Sequence, residues 1–80
     1  MMELRIVSAE EEQVLHVAWF EIHTPVGNFV IHIGHAPMMV TLLPERMITI
    51  RLKTGKQEII HAHSGIADIT RKTATIILGD

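Results

Sequence analysis

Apolar and polar residues alternate along most of this chain with the two-residue period of β-strands. The clearest stretch is 47–53. It puts Ile48, Ile50 and Leu52 on one face and Thr49, Arg51 and Lys53 on the other. Thr54 and Gly55 predict a turn and 57–63 a returning strand, so the two runs read as a hairpin. Gly65 interrupts the ladder before a short strand at 66–70. Arg71-Lys72 is a polar turn, and 73–78 is a last strand rich in β-branched residues. In the first half, strands are predicted at 3–8, 14–24, 29–33 and 38–43. They are separated by the acidic run Glu10-Glu11-Glu12, the turn Pro25-Val26-Gly27-Asn28 and the Gly34 break. The 14–24 strand is apolar on both faces in places, with Leu15, Val17 and Trp19 against Ala18, Phe20 and Ile22.

No window of a dozen residues has the three-to-four spacing of an amphipathic helix. Short strands with turn signals every 8–12 residues predict an all-β fold, a flattened two-sheet β-sandwich of about 8–10 strands. Residues 1–80 form one domain, without linker, repeat or low-complexity segment. The expected core is Ile48, Ile50, Leu52, Ile66, Ile76 and Leu78, joined by Val7 and Val17.

Composition narrows the function classes. With 80 residues, 48% of them hydrophobic and 20% charged, the balance is that of a small globular domain. There is no cysteine, which removes disulfides, thiolate metal sites and thiol catalysis. The net charge is −2 and the seven Lys and Arg are scattered, so no basic stripe is available to neutralise phosphates and no nucleic-acid partner is expected. No apolar run approaches the roughly 18 residues of a membrane-spanning helix, so direct membrane insertion is not expected either.

Candidate chemistry is sparse. Ser8 and Ser64 are the only serines, and neither sits in a strand–turn–helix elbow. The contiguous glutamates 10–12 alternate sides instead of pairing, and the glycines are isolated, so no phosphate loop forms. Six histidines raise a metal reading: His61 and His63, two apart on one strand face, could chelate an ion with a third ligand from His16, His23, His32 or His35. That alternative is a small cupin-like metal-binding barrel, for which Asp68 is the one acid close behind the pair. The other conspicuous segment is Gly34-His35-Ala36-Pro37, a tight loop that holds one imidazole in place.

Around this loop the chain resembles the N-terminal domain of the ε subunit of F-type ATP synthases, called δ in mitochondria. That family opens with a strand and a Val-Ser-Ala-Glu-like stretch, which here is Val7-Ser8-Ala9-Glu10. Its Gly-Glu-Leu-Gly-Ile-x-Pro-Gly-His-Ala-Pro-Leu segment corresponds to 27–38, ending in Gly34-His35-Ala36-Pro37-Met38. Pro44 with Met47-Ile48-Thr49-Ile50, then Ser64-Gly65-Ile66-Ala67-Asp68-Ile69, then Ile76-Ile77-Leu78-Gly79-Asp80 follow in the family's order. The chain departs from the pattern at Asn28, where the family is acidic, at Val30, Ile33 and Ser64, and in a one-residue excess at Glu45-Arg46.

The resemblance implies a non-catalytic rotor component of a proton- or sodium-translocating F-type ATP synthase. Its partners would be the γ subunit and the c-ring, at the cytoplasmic face of the bacterial inner membrane or the equivalent organellar surface. It implies no cofactor. It also implies a partner-binding edge carrying Ser8, Glu10, Asn28, His35, Pro37 and Met38. The helical hairpin that follows this domain in family members, with its inhibitory and nucleotide-sensing functions, has no counterpart in these residues. The chain is therefore expected to couple rotation without braking it.

Overall fold

A computed structural model describes residues 2–79, and every element in it is a strand. The order is β1 (Met2–Val7), β2 (Glu12–Thr24), β3 (Gly27–Ile31), β4 (Met38–Thr41), β5 (Arg46–Leu52), β6 (Gln57–Ala62), β7 (Ser64–Ile69) and β8 (Thr73–Gly79). Hydrogen bonding runs β4-β7-β8-β1-β2-β5-β6, with β3 also paired to β2. All pairs are antiparallel except β1 with β8, which run parallel.

One strand makes this ladder a sandwich. The first half of β2 pairs with β1, from Glu12 to Val17, and its second half pairs with β3, from Phe20 to Thr24. On the opposite edge β5 spans the junction. β2 thus belongs to both layers: β4, β7, β8 and β1 lie with its first half, and β3, β5 and β6 with its second. The shortest extent of the domain is 17 Å, which suits two sheets packed about 10 Å apart plus their outer side chains.

The two-faced apolar pattern of β2 now has its physical reason. Opposite β5, Val17 pairs with Leu52 and Trp19 with Arg51, so Ala18 is an extra residue, a β-bulge. Before it the odd positions Leu15 and Val17 face inward; after it the even positions Phe20, Ile22 and Thr24 are buried. The one buried polar side chain among the described residues, Thr24, is satisfied by donating from Oγ1 to the carbonyl of Gly27 at 2.7 Å in the β2–β3 turn.

Of the expected core, Ile48, Ile50, Ile76 and Val17 are buried, and Leu52 and Leu78 pack against the cluster from its margin. Two assignments are corrected. Ile66 is 45% exposed, because β7 turns Ala67 and Ile69 inward opposite Ile76 and Ala74. Directly opposed residues share a face, so the phase of β8 fixes that of β7 and sends Ile66 outward beside Ile77. Val7 lies out of phase with buried Leu4 and Ile6, and is half-buried on the outer face. Met2, Leu4, Phe20, Ile22 and Ile31 supply much of the remaining core.

Candidate functional site

Gly34 turns the chain out of β3 with φ +86°, a conformation that residues with a Cβ rarely adopt. Its backbone N–H donates to the carbonyl of Arg71 at 2.6 Å, and an Arg71 guanidinium N–H reaches back to the Gly34 carbonyl at 3.5 Å. The β7–β8 turn therefore staples the loop. Within the loop the His35 backbone N–H donates to the carbonyl of His32 at 3.2 Å, and His35 Nδ1 lies 2.8 Å from the carbonyl of Ala36. A carbonyl can only accept, so Nδ1 carries the proton and Nε2 of the neutral ring is left as an acceptor. The loop presents a half-buried imidazole with one free nitrogen, followed by exposed Pro37.

Met38 opens β4 opposite Ile69 and leans against the core, whereas its neighbour Met39 is 72% exposed. Arg71 and Lys72 place two cations beside the loop at this end of the domain, and segments 32–37 and 70–72 contain no carboxylate.

The other candidate residues do not share that end. Ser8 caps the β1–β2 turn: its Oγ donates to the Glu11 carbonyl at 3.2 Å and accepts from the Glu11 N–H at 3.3 Å, with exposed Glu10 between them. β1 and β8 run parallel from Glu3 beside Thr73 to Val7 beside Ile77. Ser8 and Arg71 thus sit at opposite ends of that pair, about 13 Å or more apart at roughly 3.3 Å per residue. Asn28 occupies the β2–β3 hairpin, where its Oδ1 accepts from His23 Nδ1 at 2.8 Å. The structure gathers His35, Pro37 and Met38 beside the β7–β8 turn, puts Ser8 and Glu10 at the opposite, acidic end, and leaves Asn28 on its own hairpin.

The metal alternative loses its geometry. His63 lies beyond β6, which ends at Ala62, so it does not extend the strand face that carries His61. The two rings meet edge to face with centroids 5.8 Å apart. His63 Nδ1 is already engaged at 2.6 Å from Glu45 Oε1. Among the described residues no three His, Asp or Glu side chains converge as a metal site would need. The hydrogen bond to Glu45 holds the His63 imidazolium above the ordinary histidine range, and the same bond holds the Glu45 carboxyl below the ordinary carboxylate range.

Sequence reasoning missed Arg71 as the partner of the His35 loop, the Glu45–His63 pair, and the outer face of β7 and β8. On that face Ile66 opposes Ile77, both about half exposed, beside a shallow groove of about 310 Å³ between Thr41, Ser64, Ile66, Ile77 and Gly79.

The full sequence, residues 1–80, matches the family model of the ATP synthase, Delta/Epsilon chain, beta-sandwich domain. The chain belongs to this family. Among solved structures, this delta/epsilon domain superposes on a chain of the Euglena gracilis mitochondrial ATP synthase, in a structure of its OSCP/F1/c-ring, with TM-score 0.87 and 19% identity. It also superposes on a chain of the Tetrahymena thermophila mitochondrial ATP synthase, in a structure of its central stalk and c-ring, with TM-score 0.83 and 16% identity. Both alignments cover 99% of this domain, but 51% and 63% of the respective relatives, so it spans about half to three fifths of their length. At these identities the likeness is one of fold. No curated protein matches the chain by sequence. The delta/epsilon assignment agrees with the all-β reading and with the resemblance carried by Gly34-His35-Ala36-Pro37.

Proposed function

We propose that this delta/epsilon domain is a non-catalytic part of the rotating central stalk of an F-type ATP synthase, coupling a γ subunit to the c-ring. The observation that carries the reading is the family match over residues 1–80. The rest of the structure supports a role in contact rather than chemistry. The His35 loop is held at Gly34 by two hydrogen bonds with Arg71 and offers a fixed surface for a ring of polar loops. Rigid presentation lowers the ordering cost of binding, which suits a contact that must survive torque.

His35, Pro37 and Met38 form the first contact surface in this proposal, with exposed Met39 adding adaptable apolar area. Ser8, Glu10 and Asn28 belong to separate contacts around the same domain. The aliphatic strip of Ile66 and Ile77 is the surface offered to the stalk partner, the γ subunit. The domain sits peripherally at the membrane through these partners; no described helix is long and apolar enough to cross a membrane. It needs no cofactor, and the assembly's catalysis belongs to other subunits.

The test is binding of the labelled chain to a purified γ–c-ring subcomplex from the same organism. His35→Ala should weaken binding by about tenfold, as removal of a central contact does, with an unchanged melting temperature. No detectable binding of the unmodified chain, or equal binding by the variant, would overturn this assignment of function or surface, respectively.

A further inference from the structure

Glu45 is the one non-glycine residue with positive φ among the described residues, at +60° in the turn between β4 and β5. It follows Pro44, and a positive φ after proline is what a type II turn requires, where glycine or asparagine is usual. Glu45 is neither, and it uses both of its polar ends on one residue. Its backbone N–H donates to the His63 carbonyl at 3.2 Å, and its carboxylate accepts from His63 Nδ1 at 2.6 Å. Main chain and side chain together fasten the β4–β5 turn to the corner between β6 and β7.

Two further bonds anchor the same segment. The Leu42 N–H donates to the Gly65 carbonyl at 2.9 Å, and the Leu43 N–H to the His23 carbonyl at 2.8 Å. Both are main-chain bonds, indifferent to pH. Only the Glu45 attachment contains titrating groups. The segments it joins run directly into Thr41 on one side and Ser64 and Gly65 on the other, which wall the groove beside Ile66 and Ile77.

We propose that Glu45 and His63 form a proton-operated clasp that sets how firmly the β4–β5 turn is held beside this groove. Among the described residues, the charged groups around it are few. From β6, His61 meets the His63 ring edge to face. From β5, Arg46 adjoins Glu45 in sequence and pairs with Ala62 in the ladder. From the end of β2, His23 lends its carbonyl to Leu43 while its own ring is engaged with Asn28. The first residue of β7, Ser64, is uncharged.

The sign follows from the two shifts. His63 is raised in the folded state, so its contribution is complete below the ordinary histidine value and weakens as pH rises through the folded one. Glu45 is lowered, so its contribution is present above the ordinary carboxylate value and fails as pH falls through the folded one. The clasp is tightest between about pH 4.5 and 6.5, the ordinary values of the two groups. Above that window neutral His63 still donates a hydrogen bond, but without charge reinforcement.

Imidazole and amide NMR of the 80-residue chain tests this directly, and neither readout depends on the domain binding a stalk partner. In the unmodified chain His63 should titrate above the ordinary histidine range, and Glu45→Gln, which keeps shape but removes charge, should bring it back to that range. From pH 6 to 8, exchange protection of the Glu45 amide, corrected for base catalysis, should fall by roughly two- to fivefold, the size that exposed ion pairs reach. Protection at Leu42 should change less. The same His63 titration in both proteins, or Glu45 protection that ignores pH in the unmodified chain, would overturn the clasp.

Discussion

Inserting an alanine after Ala18 should unfold this domain, although Ala18 itself is exposed. The bulge at Ala18 lets β2 bury Leu15 and Val17 in the first layer and Phe20, Ile22 and Thr24 in the second. Deleting Ala18 would keep both sets inward, because Val17, Trp19 and Phe20 would then oppose Leu52, Arg51 and Ile50 without a break. One added residue instead slips one half of β2, which sends every side chain in that half to the other face. If the first half keeps its register, Trp19, Glu21 and His23 take the inward positions of Phe20, Ile22 and Thr24. If the second half keeps its register, His16 and Ala18 take those of Leu15 and Val17. Phe20 and Ile22 are both fully buried, and losing their burial alone costs about 1.5–3 kcal/mol each. Burying a carboxylate or imidazole without a partner adds several more. The sum approaches or exceeds the roughly 5–15 kcal/mol that holds a small domain together.

The assay is urea denaturation followed by Trp19 fluorescence, with the one-dimensional NMR spectrum as a check of folding. Ala18→Ser serves as the control, since it keeps the bulge and should stay within about 0.5 kcal/mol of the parent, as exposed substitutions do. An insertion variant that folds within about 1 kcal/mol of the parent would refute the idea that the bulge sets the core phase of both layers.

Three further outcomes follow from burial and clearance. Ile50→Ala, at a fully buried site in β5, should lower stability by about 2–4 kcal/mol in chemical denaturation, whereas Ile66→Ala on the open face should cost well under half of that. Gly65→Ala should destabilise, because the added Cβ would lie 2.8 Å from the Ile77 carbonyl oxygen and 3.2 Å from Leu42 Cδ1; a melting temperature unchanged within a degree would contradict the close approach. Met38→Ala should lower the melting temperature and Met39→Ala should not, since only Met38 packs against the core.

Strand positions were legible because alternation is a local signal. Ile48, Thr49, Ile50 and Arg51 announce both the strand and its inner face without reference to any partner. Phase was harder where the local pattern admits two readings. In β7, Ile66 with Asp68 and Ala67 with Ile69 are the competing faces; bulk favours the first, but burying Asp68 would strand a carboxylate, and the pairing with β8 selects the second. In β2 the signal was present as a break in alternation at Ala18, yet a bulge is recognised only once β5 shows which residue is extra. The site divides the same way. Gly34-His35-Ala36-Pro37 marks a rigid loop by composition alone. Its staple to Arg71, 37 residues away, and the grip of Glu45 on His63, 18 residues away, depend on how the strands are ordered. The same ordering separates Ser8 from His35, which no one-dimensional spacing could show.

The central claim is that this domain couples stalk to ring, and it is tested most directly in membrane vesicles carrying an F-type ATP synthase stripped of its own delta/epsilon subunit. Adding the 80-residue chain, with ATP-driven ion pumping and ATP hydrolysis measured together, should raise the ions moved per ATP hydrolysed. Vesicles in which the chain binds the complex at saturation, yet pumping per ATP stays at the stripped level, would contradict the account.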